Sequence, residues 1–457
     1  MAKYKAYPEY KTTGLGWLTE IPDHWEAKKL KYLGQAIIGL TYSPDDVVDE
    51  GEGTLVLRSS NVQNGKLEFL DNVYVRKAIP LHLKVKKGDI LICARNGSRA
   101  LIGKNAKITK DAEGMTFGAF MSIFRSRYNN YLSHVFASAL FEYQSSSFLT
   151  ATINQLTTSN LNSFEIPLPP QTEQDRIVNF LDHETAKIDN LIEKQQQLIE
   201  LLKEKRQAVI SHAVTKGLNP DVPMKDSGVE WLGDVPKHWE LVPLKYLCNF
   251  SGGGTPTKDN LSYWQGGTVP WVSPKDMKSF WISETEDYVT PKAVSESSTN
   301  YVEEGSLLMV VRSGILQRNI PVAINIVKVT MNQDMKALKF NERMKAHYAA
   351  YFINGNVNSL LLEWTKEGAT VESIEHDYLA NGLIPVPPID EQHLIIKSIS
   401  DQMMRFELLE EKALTGIRLL QERRTALISA AVTGKIDVRD WVALETQDIE
   451  ESQEATA

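Results

Sequence analysis

The sequence predicts an α+β protein with an internal pseudo-twofold repeat, in which two mostly β domains are separated by two long helices that form an antiparallel coiled coil. Three observations lead to this prediction. No Pro or Gly occurs between residues 171 and 216, and the apolar residues there recur at alternating steps of three and four, which is typical of one helical face. The segment that begins at Ile166 returns at Ile384. Short apolar runs separated by glycine turns fill most of the remaining chain, and such runs indicate β-strands.

The first helix follows a strand that ends in two prolines. The sequence IPLPPQTEQDRIVNFLD (residues 166–182) returns as IPVPPIDEQHLIIKSIS (residues 384–400), and LLKEKRQAVISHAVT (residues 201–215) returns as LLQERRTALISAAVT (residues 419–433). At about 1.5 Å per residue each helix is roughly 65 Å long, which is more than one globular domain needs. Each helix therefore requires a partner along its apolar face.

An apolar seam is predicted on each helix. Two such seams can bury each other as an antiparallel coiled coil, or each can accept a partner helix, and an ordinary dimerisation coil is the simpler alternative. Gly416 stands where the first copy has Leu198, so we expect the second helix to be weaker there. The predicted seam residues are Ile177, Leu181, Ile188, Leu191, Leu198, Leu202 and Val209 in the first helix and Ile395, Ile399, Phe406, Leu409, Leu420 and Leu427 in the second.

The repeat extends to a segment that precedes each β-rich region, which we call the tryptophan segment. GLGWLTEIPDHWEAKKLKYLG (residues 14–34) matches GVEWLGDVPKHWELVPLKYLC (residues 228–248). The simplest interpretation is that the four tryptophans, Trp17, Trp25, Trp231 and Trp239, anchor this segment to a folded domain. Each half of the chain then consists of a tryptophan segment, a β-rich region, a proline-ended strand and a long helix, which is a tandem duplication.

The two β-rich regions resemble each other only in part. Residues 85–108 and 302–324 both show a glycine turn, an apolar strand, an Arg-x-Gly turn and a second apolar strand. A few helices are predicted beside the strands, at residues 131–149 and 346–364. The polar turns that follow the strands differ between the copies, whereas the apolar frame is retained. One frame with two sets of polar turns fits two readers of different ligands.

The variable turns contain the side chains that read bases directly. Arg pairs with guanine, Asn and Gln pair with adenine, and Ser pairs with either. Arg95 and Arg312 recur at equivalent places, and we interpret them as buried scaffold arginines bonded to turn carbonyls, with base contact as the alternative. The candidate contacts are Arg58, Ser59, Asn61, Asn96 and Arg99 in the first region and Ser273, Lys275, Ser313, Gln317 and Arg318 in the second.

Composition restricts the class of protein. The only cysteines, Cys93 and Cys248, are far apart in the sequence, which favours a reducing compartment and argues against a zinc site. No apolar run approaches the ~20 residues that cross a bilayer, and residues 1–11 lack the apolar core of a signal peptide. We therefore expect a cytoplasmic protein without a membrane partner.

Charge is distributed unevenly. The whole chain carries a net charge of −8, but residues 1–170 hold more Lys and Arg than Asp and Glu, while the second helix and the end of the chain are acidic. A polyanionic partner is compatible with this distribution, and other subunits would supply much of the phosphate neutralisation. The predicted division is a first β-rich domain (1–165), a first helical region (166–219), a second β-rich domain (220–383), a second helical region (384–440) and a flexible acidic tail (441–457).

The duplicated helical motifs and the two W-L-x-x-(I/V)-P-x-H-W segments together resemble the DNA-specificity subunit of type I restriction-modification systems. The resemblance covers nearly the whole chain in the order target recognition domain, helical region, target recognition domain, helical region. It implies that each recognition domain reads one half of an asymmetric, two-part site in double-stranded DNA and that the helices act as a ruler for the unread spacer. Half-sites about one helical turn (~34 Å) apart lie on one face of the duplex.

The resemblance also implies which partners the chain has. Two methylation subunits would dock near the helical regions, and motor-nuclease subunits would join them to form the restriction complex. Catalysis, with S-adenosylmethionine, ATP and Mg²⁺, would belong to those partners, and no cofactor or metal is expected on this chain. A base that is methylated inside a duplex must be flipped out, so a separate reader that holds the duplex is a reasonable division of labour.

Two alternative classes remain open at this stage. One is an enzyme in its own right: Phe250 to Gly254 fits the F-x-G-x-G loop of S-adenosylmethionine-dependent methyltransferases, but neither Pro-Pro pair belongs to an (N/D)PP(Y/F) motif. A nuclease pattern, Pro220-Asp221 with Asp276-Met277-Lys278, is short enough to arise by chance, and a phosphate-binding GxxxxGK(S/T) loop is missing from the sequence. The other class is a structural coiled-coil adaptor, which explains the helices but not the two sets of polar turns.

Overall fold

The chain divides into two units. A computed structural model describes residues 4–148, 154–365 and 372–443. Unit 1 comprises Met1–Gln195 and Thr415–Ala457, and unit 2 comprises Gln196–Leu414. Each unit contains one β-rich region and one half of each long helix. Because this division cuts through the helices, the domain boundaries predicted at residues 165/166, 219/220 and 383/384 stay predictions.

Unit 1 holds the first fourteen strands of the described residues and the first helices. The strands are β1 (Tyr10–Leu15), β2 (Leu18–Pro22), β3 (Glu26–Lys29), β4 (Gln35–Ile38), β5 (Val47–Val48), β6 (Thr54–Leu57), β7 (Val62–Gln63), β8 (Lys66–Leu67), β9 (Tyr74–Val75), β10 (Ile90–Cys93), β11 (Asn105–Lys107), β12 (Thr116–Phe117), β13 (Met121–Arg125) and β14 (Glu165–Leu168). The helices are α1 (Asn129–Phe136), α2 (Ala139–Ser147), α3 (Thr158–Ser163) and the long α4 (Gln171–Lys216), which continues into unit 2.

Two four-stranded sheets form the frame of unit 1. One is antiparallel, with the order β11-β10-β13-β4, and the other has the order β12-β6-β9-β5, in which β12 and β6 are parallel. Strand β10 is buried at every position, as expected for a strand with paired neighbours on both sides. The proline-ended strand β14 pairs with β3 of the tryptophan segment.

Unit 2 holds the remaining strands and helices. The strands are β15 (Met224–Asp226), β16 (Asp234–Pro236), β17 (Glu240–Pro243), β18 (Cys248–Gly252), β19 (Val269–Val272), β20 (Trp281–Ile282), β21 (Asp287–Val289), β22 (Leu307–Val310), β23 (Val322–Asn325), β24 (Thr330–Met331), β25 (Met335–Phe340) and β26 (Leu383–Val386). The helices are α5 (Pro291–Glu296), α6 (Ala346–Gly355), α7 (Val357–Trp364), α8 (His376–Asn381) and α9 (Ile389–Val432), which continues into unit 1.

The sheets of unit 2 repeat those of unit 1 with changes at the edges. The order β18-β25-β22-β23 corresponds to β4-β13-β10-β11, and β20 adds a fifth strand. The order β21-β19-β24 corresponds to β9-β6-β12, again with a parallel pair, β19 and β24. Unit 1 instead has a small β7-β8 hairpin. The retained frame and the altered edges confirm the predicted α+β repeat.

The short helices differ slightly from the prediction. Each predicted helix is broken in two, as α1 and α2 in unit 1 and as α6 and α7 in unit 2. Ser138 has extended backbone angles before α2, and Asn356 lies outside helical geometry between α6 and α7. Each break depends on residues outside helical geometry, which a periodicity argument does not detect. Residue 149, the predicted end of the first helix, lies outside the described residues.

The long helices pack against each other in antiparallel fashion, as predicted. In unit 1, Ile177 and Leu181 near the start of α4 share a core with Ile428 near the end of α9. In unit 2, Ile210 near the end of α4 shares a core with Ile395 near the start of α9. Helix α9 continues through Gly416 without interruption.

Burial corrects the predicted seam in its middle part. Leu191, Leu198 and Leu409 are 47%, 40% and 46% exposed, respectively. The neighbouring Ile199 is buried and Ile192 is half-buried, so the buried face lies one residue further along α4. The predicted seam followed a 3.5-residue repeat, whereas a straight α-helix has 3.6 residues per turn and drifts by about 20° per heptad.

The other predicted seam residues lie on the inner side of the helices. The buried ones are Ile177, Leu181, Ile188, Ile395 and Ile399. The half-buried ones are Leu202, Val209, Phe406, Leu420 and Leu427. The three exposed leucines do not belong to this inner side.

A buried tyrosine ties each β-rich region to the long helices. The Tyr131 hydroxyl in α1 donates to the carbonyls of Pro167 (3.0 Å) and Val432 (3.2 Å) in unit 1. The Tyr348 hydroxyl in α6 donates to those of Pro385 (3.1 Å) and Val214 (2.9 Å) in unit 2. Each hydroxyl therefore bridges a proline-ended strand and the end of a long helix. These tyrosines are not among the residues predicted from the sequence.

Both ends of the described part of the chain lie in unit 1. Trp441 packs edge-on against Phe180 of α4, with ring centroids 5.3 Å apart. Residues 444–457, which form most of the predicted flexible acidic tail, lie outside the described residues.

Candidate nucleic-acid interface

A cleft lies where two strands of unit 1 end on the same side. Strand β6 ends at Leu57, immediately before Arg58, and β10 ends at Cys93, two residues before Arg95. Polar and aromatic residues from these turns and from the β4 and β13 ends line a cavity of about 710 Å³. Its lining includes Tyr42, Arg58, Ser59, Ser60, Arg95, Asn96, Gly118 and Phe120. Three predicted contact residues, Arg58, Ser59 and Asn96, thus meet in one cleft.

Arg58 and Asn61 have different environments. The Arg58 guanidinium donates to the Asp71 carboxylate at 2.7 Å and is half-buried. Asn61 is buried, and its side chain accepts from the Arg58 backbone N–H at 2.9 Å and donates to the Glu68 carbonyl at 3.0 Å. A buried amide with these bonds holds the turn in place and does not reach a base. We therefore revise Asn61 from a contact residue to a residue that positions Arg58.

Asn96 connects the two turns of the cleft. Its side-chain amide donates to Ser59 Oγ at 3.1 Å, and its side-chain oxygen accepts from the Ser98 backbone N–H at 2.9 Å. Arg99 is exposed and makes one long hydrogen bond, 3.4 Å, to the Ser146 carbonyl. The Lys104 ammonium, which the sequence analysis did not select, lies 3.5 Å from the Ser59 carbonyl and adds positive charge beside the cleft.

Arg95 and Arg312 are not buried scaffold arginines, which corrects the interpretation drawn from their recurrence. Both residues are exposed. The guanidinium carbon of Arg95 lies 5.2 Å from the centroid of the Phe120 ring. Arg312 forms an ion pair with Asp334, with Nη2 and Oδ1 2.6 Å apart. The backbone frame at these positions is shared, but the side chains project outward.

In unit 2, the turn after β19 contains two predicted contacts. Ser273 is buried and its hydroxyl donates to the Asp276 carboxylate at 2.9 Å, so it caps the turn and is revised to a positioning residue. Lys275 is exposed. It has no carboxylate within ion-pairing distance in the described part of the chain, so its ammonium can reach a ligand.

The turn after β22 contains the other three predicted contact residues. Ser313 is half-buried and its hydroxyl accepts from the Ile315 N–H at 3.4 Å. Gln317 and Arg318 are exposed at the end of a short 3₁₀ helix (Gly314–Gln317). Their amide and guanidinium carry the donors that direct base readout requires.

Aromatic residues at the cleft escaped the sequence analysis. Phe120 is 61% exposed, and Tyr42 lines the same cavity. An aromatic residue in a strand-rich sequence is predicted to lie in the core. The sequence pattern does not distinguish an exposed aromatic ring from a buried one.

The residues of the two enzyme-like patterns have structural roles. A side chain at Gly253 would collide with the Asn332 carbonyl, and one at Gly254 would lie 2.6 Å from the Ser298 carbonyl. These glycines therefore allow close packing rather than a flexible loop. Asp276, from the nuclease-like pattern, accepts from the backbone N–H groups of Ser273 and Glu286, both at 2.8 Å.

Neither thiol is activated. Burial raises the pKa of the Cys93 thiol above its ordinary value and that of Cys248 to about 12, so both are protonated at neutral pH. Among the described residues, no group of three or more His, Cys, Asp and Glu side chains is placed to hold a metal ion. The helices of the described segments include none that is long and apolar enough to span a bilayer.

Comparison with known proteins gives one family. The family model for the type I restriction modification DNA specificity domain matches twice, at residues 22–201 and 236–416. The EcoR124I/EcoR124II specificity subunit of Escherichia coli is 33% identical over 195 residues, which cover 42% of this chain and 44% of that protein. The EcoKI specificity subunit of Escherichia coli K12 is 21% identical over 440 residues, which cover 93% of this chain and 91% of that protein.

Solved structures share the fold. A chain from a structure of "complex assembly and conformational transition of the type I R-M system" has a TM-score of 0.67 at 16% identity and covers 91% of this chain and 99% of its own length. The crystal structure of the HsdS subunit from Thermoanaerobacter tengcongensis has a TM-score of 0.50 at 16% identity, with coverage of 91% and 98%. The two family matches together span most of the sequence, and they show that the chain belongs to the type I restriction-modification DNA specificity family and is a non-catalytic, DNA-binding specificity subunit.

Proposed function

We propose that this subunit reads an asymmetric, two-part site in double-stranded DNA, with one half-site bound by each unit. The observation that carries the proposal is that the two units share a strand frame but differ in the polar residues at the strand ends. Sequence is read by base-edge contacts, whereas phosphate contacts position the protein. The shared strands with different polar residues at their ends support two units that bind different DNA sequences.

The proposed contact residues follow from exposure and position. In unit 1 they are Arg58, Ser59, Asn96 and Arg99, and in unit 2 they are Lys275, Ser313, Gln317 and Arg318. Asn61 and Ser273 hold the turns that carry Arg58 and Lys275, respectively. The proposed role of the paired helices is to set the length of the spacer that is not read.

We also propose that the helices scaffold the other subunits of the complex. Two methylation subunits and the motor-nuclease subunits are the proposed partners, and S-adenosylmethionine, ATP and Mg²⁺ are assigned to them. Support comes from leucines on the outer sides of the helices, because exposed apolar patches mark protein interaction sites. In unit 1 these are Leu191 and Leu419, and in unit 2 they are Leu198, Leu201, Leu408, Leu409 and Leu414.

A domain exchange tests the two-part reading. Residues 36–160 are replaced by those of a relative with a different site, and the complex with its methylation subunits modifies DNA whose modified bases are then mapped. We expect one half of the recognised sequence to change and the other half to persist. The matched exchange of residues 250–378 should change only the other half. Changes in both halves from either exchange would contradict modular reading.

Charge placed on the outer leucines tests the scaffold. Leu408→Asp with Leu409→Asp should release the methylation subunit in co-purification, with little effect on folding because both side chains are about half exposed. Leu408→Met with Leu409→Met, which keeps both side chains apolar, is the control and should retain the partner. Retention of the methylation subunit by the double variant would remove this surface from the proposal.

A further inference from the structure

Arg95 and Arg312 occupy the same place in the two units. The N–H groups of Ala94 and Arg95 donate to the Phe120 carbonyl at 3.0 and 2.9 Å, respectively. In unit 2, the N–H groups of Val311 and Arg312 donate to the Asp334 carbonyl at 2.8 and 3.3 Å. Phe120 and Asp334 are therefore equivalent, and each lies directly beneath its arginine.

Asp334 occupies N–H donors of Arg312, whereas Phe120 leaves the N–H donors of Arg95 available. The Asp334 carboxylate accepts from Arg312 Nε at 2.7 Å and pairs with Nη2 at 2.6 Å, which occupies donors and neutralises the charge. The Phe120 ring supports the Arg95 guanidinium by a cation–π contact, which uses no N–H donor. No hydrogen-bond acceptor for the Arg95 guanidinium lies within the segments that the structure describes. Arg95 is thus held in place with its donors available.

The surroundings of Arg95 also favour a ligand. Arg95 lines the cleft of unit 1 together with Arg58, Ser60 and Asn96. Arg58 Nε and Ser60 Oγ are buried atoms that make no hydrogen bond to any described residue. Polar atoms shielded from water ordinarily have partners, so this cleft has hydrogen-bonding capacity that the chain itself does not use.

We propose that Arg95, supported by Phe120, reads a guanine in the half-site bound by unit 1, and that Arg312 does not read DNA. The inference rests on the proposed function and names the base that this site recognises. An arginine whose fork is free can donate to guanine O6 and N7 together, which is the commonest specific contact in the major groove. Phe120 is a positioning residue in this scheme, because it keeps the guanidinium plane oriented without competing for its donors.

The test uses the complete chain assembled with its methylation subunits, with every modified site in a genome mapped for the wild type and each variant. Arg95→Ala should relax one guanine position in one half-site, lowering the preference for guanine there by about 10- to 100-fold. The rest of the motif should persist. Arg312→Ala is the matched control and should leave the motif unchanged.

Two further variants separate base reading from charge and from folding. Arg95→Lys keeps the charge but lacks the planar fork, so the same guanine position should relax while the amount of assembled complex stays at the wild-type level. Phe120→Leu should relax that position to a smaller extent.

The possible outcomes distinguish the inference from the function on which it rests. Uniformly weaker modification with an unaltered motif in Arg95→Ala would mean a phosphate contact and would overturn the inference. So would a motif that changes in Arg312→Ala and not in Arg95→Ala, or a unit 1 half-site without guanine. A wild-type complex that modifies no two-part motif would instead reject the proposed function itself.

Discussion

The two tryptophan segments show how one motif is adapted to two settings. In unit 1 the carboxylate of Glu173, on α4, is buried and accepts from Trp25 Nε1 at 3.0 Å, from the Tyr7 hydroxyl and from His24 Nε2 at 2.8 Å. In unit 2 the equivalent Glu391 bonds His238 Nε2 at 2.8 Å and is more exposed. Trp239 Nε1 is left without a hydrogen bond to the described residues. The same sequence pattern thus gives a dense network in one copy and a single exposed pair in the other.

The two hydrogen-bond networks differ because the chain enters and leaves the two units in different ways. Unit 2 runs continuously from α4 to its tryptophan segment, whereas unit 1 gathers both ends of the described chain. The Asp437 N–H donates to the Lys5 carbonyl at 2.8 Å, and the Tyr10 hydroxyl donates to the Gly434 carbonyl at 2.9 Å. Residues near the chain end, such as Tyr7, complete the Glu173 network. Burial and the hydrogen bond to Glu173 raise the pKa of Tyr7 well above its ordinary value, so its hydroxyl remains a donor.

Removing the returning end of the chain should have the largest effect. A chain that ends at Lys435 loses Ile436 and Val438, which are buried in the core of unit 1. At about 1.5–3 kcal/mol per buried aliphatic side chain, the free energy of unfolding of unit 1 should fall by about 3–6 kcal/mol. Hydrogen exchange should show reduced protection of α1 and β14, with a smaller change in α6 and β26. A chain that ends at Ala443 is the control, and equal losses in both units would refute the asymmetry.

Glu173→Ala should have the second largest effect on stability. It leaves the buried donors of Trp25 and Tyr7 unpaired, so the free energy of unfolding of unit 1 should fall by about 3 kcal/mol. Glu391→Ala, which breaks one partly exposed pair, should cost about 1 kcal/mol or less in unit 2. Glu173→Gln keeps an acceptor and should lie between these values. Denaturant titration of hydrogen exchange in each unit measures both, and a larger loss from Glu391→Ala would contradict the comparison.

The glycines that end the long helices provide a smaller test. Gly217 and Gly434 have φ angles of +79° and +75°, and an alanine in this region costs about 1–2 kcal/mol. A Cβ at Gly434 would also collide with the Pro22 ring, whereas one at Gly217 would only touch Trp239, at 3.3 Å. Gly434→Ala should therefore destabilise unit 1 by about 1 kcal/mol more than Gly217→Ala destabilises unit 2. Thermal unfolding followed by limited proteolysis would show which unit opens first.

The smallest effect concerns a histidine–carboxylate contact in unit 1 that has no counterpart at the equivalent positions of unit 2. His134 Nε2 of α1 lies 3.0 Å from Asp182 Oδ1 of α4, and the residue equivalent to Asp182 in α9 is Ser400. The hydrogen bond from His134 lowers the pKa of the Asp182 carboxyl below its ordinary value of 3.8. Burial raises this pKa, but by less than the hydrogen bond lowers it. A lowered pKa stabilises the fold above the unfolded pKa, and this contribution disappears as pH falls through the folded value.

Asp182→Ser should therefore reduce the stability of unit 1 near neutral pH by less than about 1 kcal/mol, because the Asp182 side chain is largely exposed. The difference from the wild type should shrink as pH falls below the ordinary carboxyl range and through the lowered pKa of Asp182. Melting temperatures measured from pH 7 to pH 3 check this, with Ser400→Ala as the control. A difference that grows on acidification would have the wrong sign for this pair.

Much of the architecture follows from sequence patterns. The long helices, their repetition and their antiparallel pairing come from runs without Pro or Gly and from recurrent motifs, because helix periodicity is a local property. The seam was displaced at Leu191, Leu198 and Leu409 because a small error in period accumulates along a helix. The break between α1 and α2 escaped prediction because it depends on how the second helix packs.

The sequence by itself determined that the protein is a duplicated α+β chain with paired helices, and that polar strand ends such as Arg58 and Asn96 are candidate contacts. The tertiary structure decided which of these residues face a cleft and which, like Asn61 and Ser273, form hydrogen bonds that hold a turn together. It also decided that Arg95 rests on a ring while Arg312 rests on a carboxylate. The physical reason is that apolar periodicity is set by residues close in sequence, whereas the state of a polar side chain depends on partners brought together from distant parts of the chain.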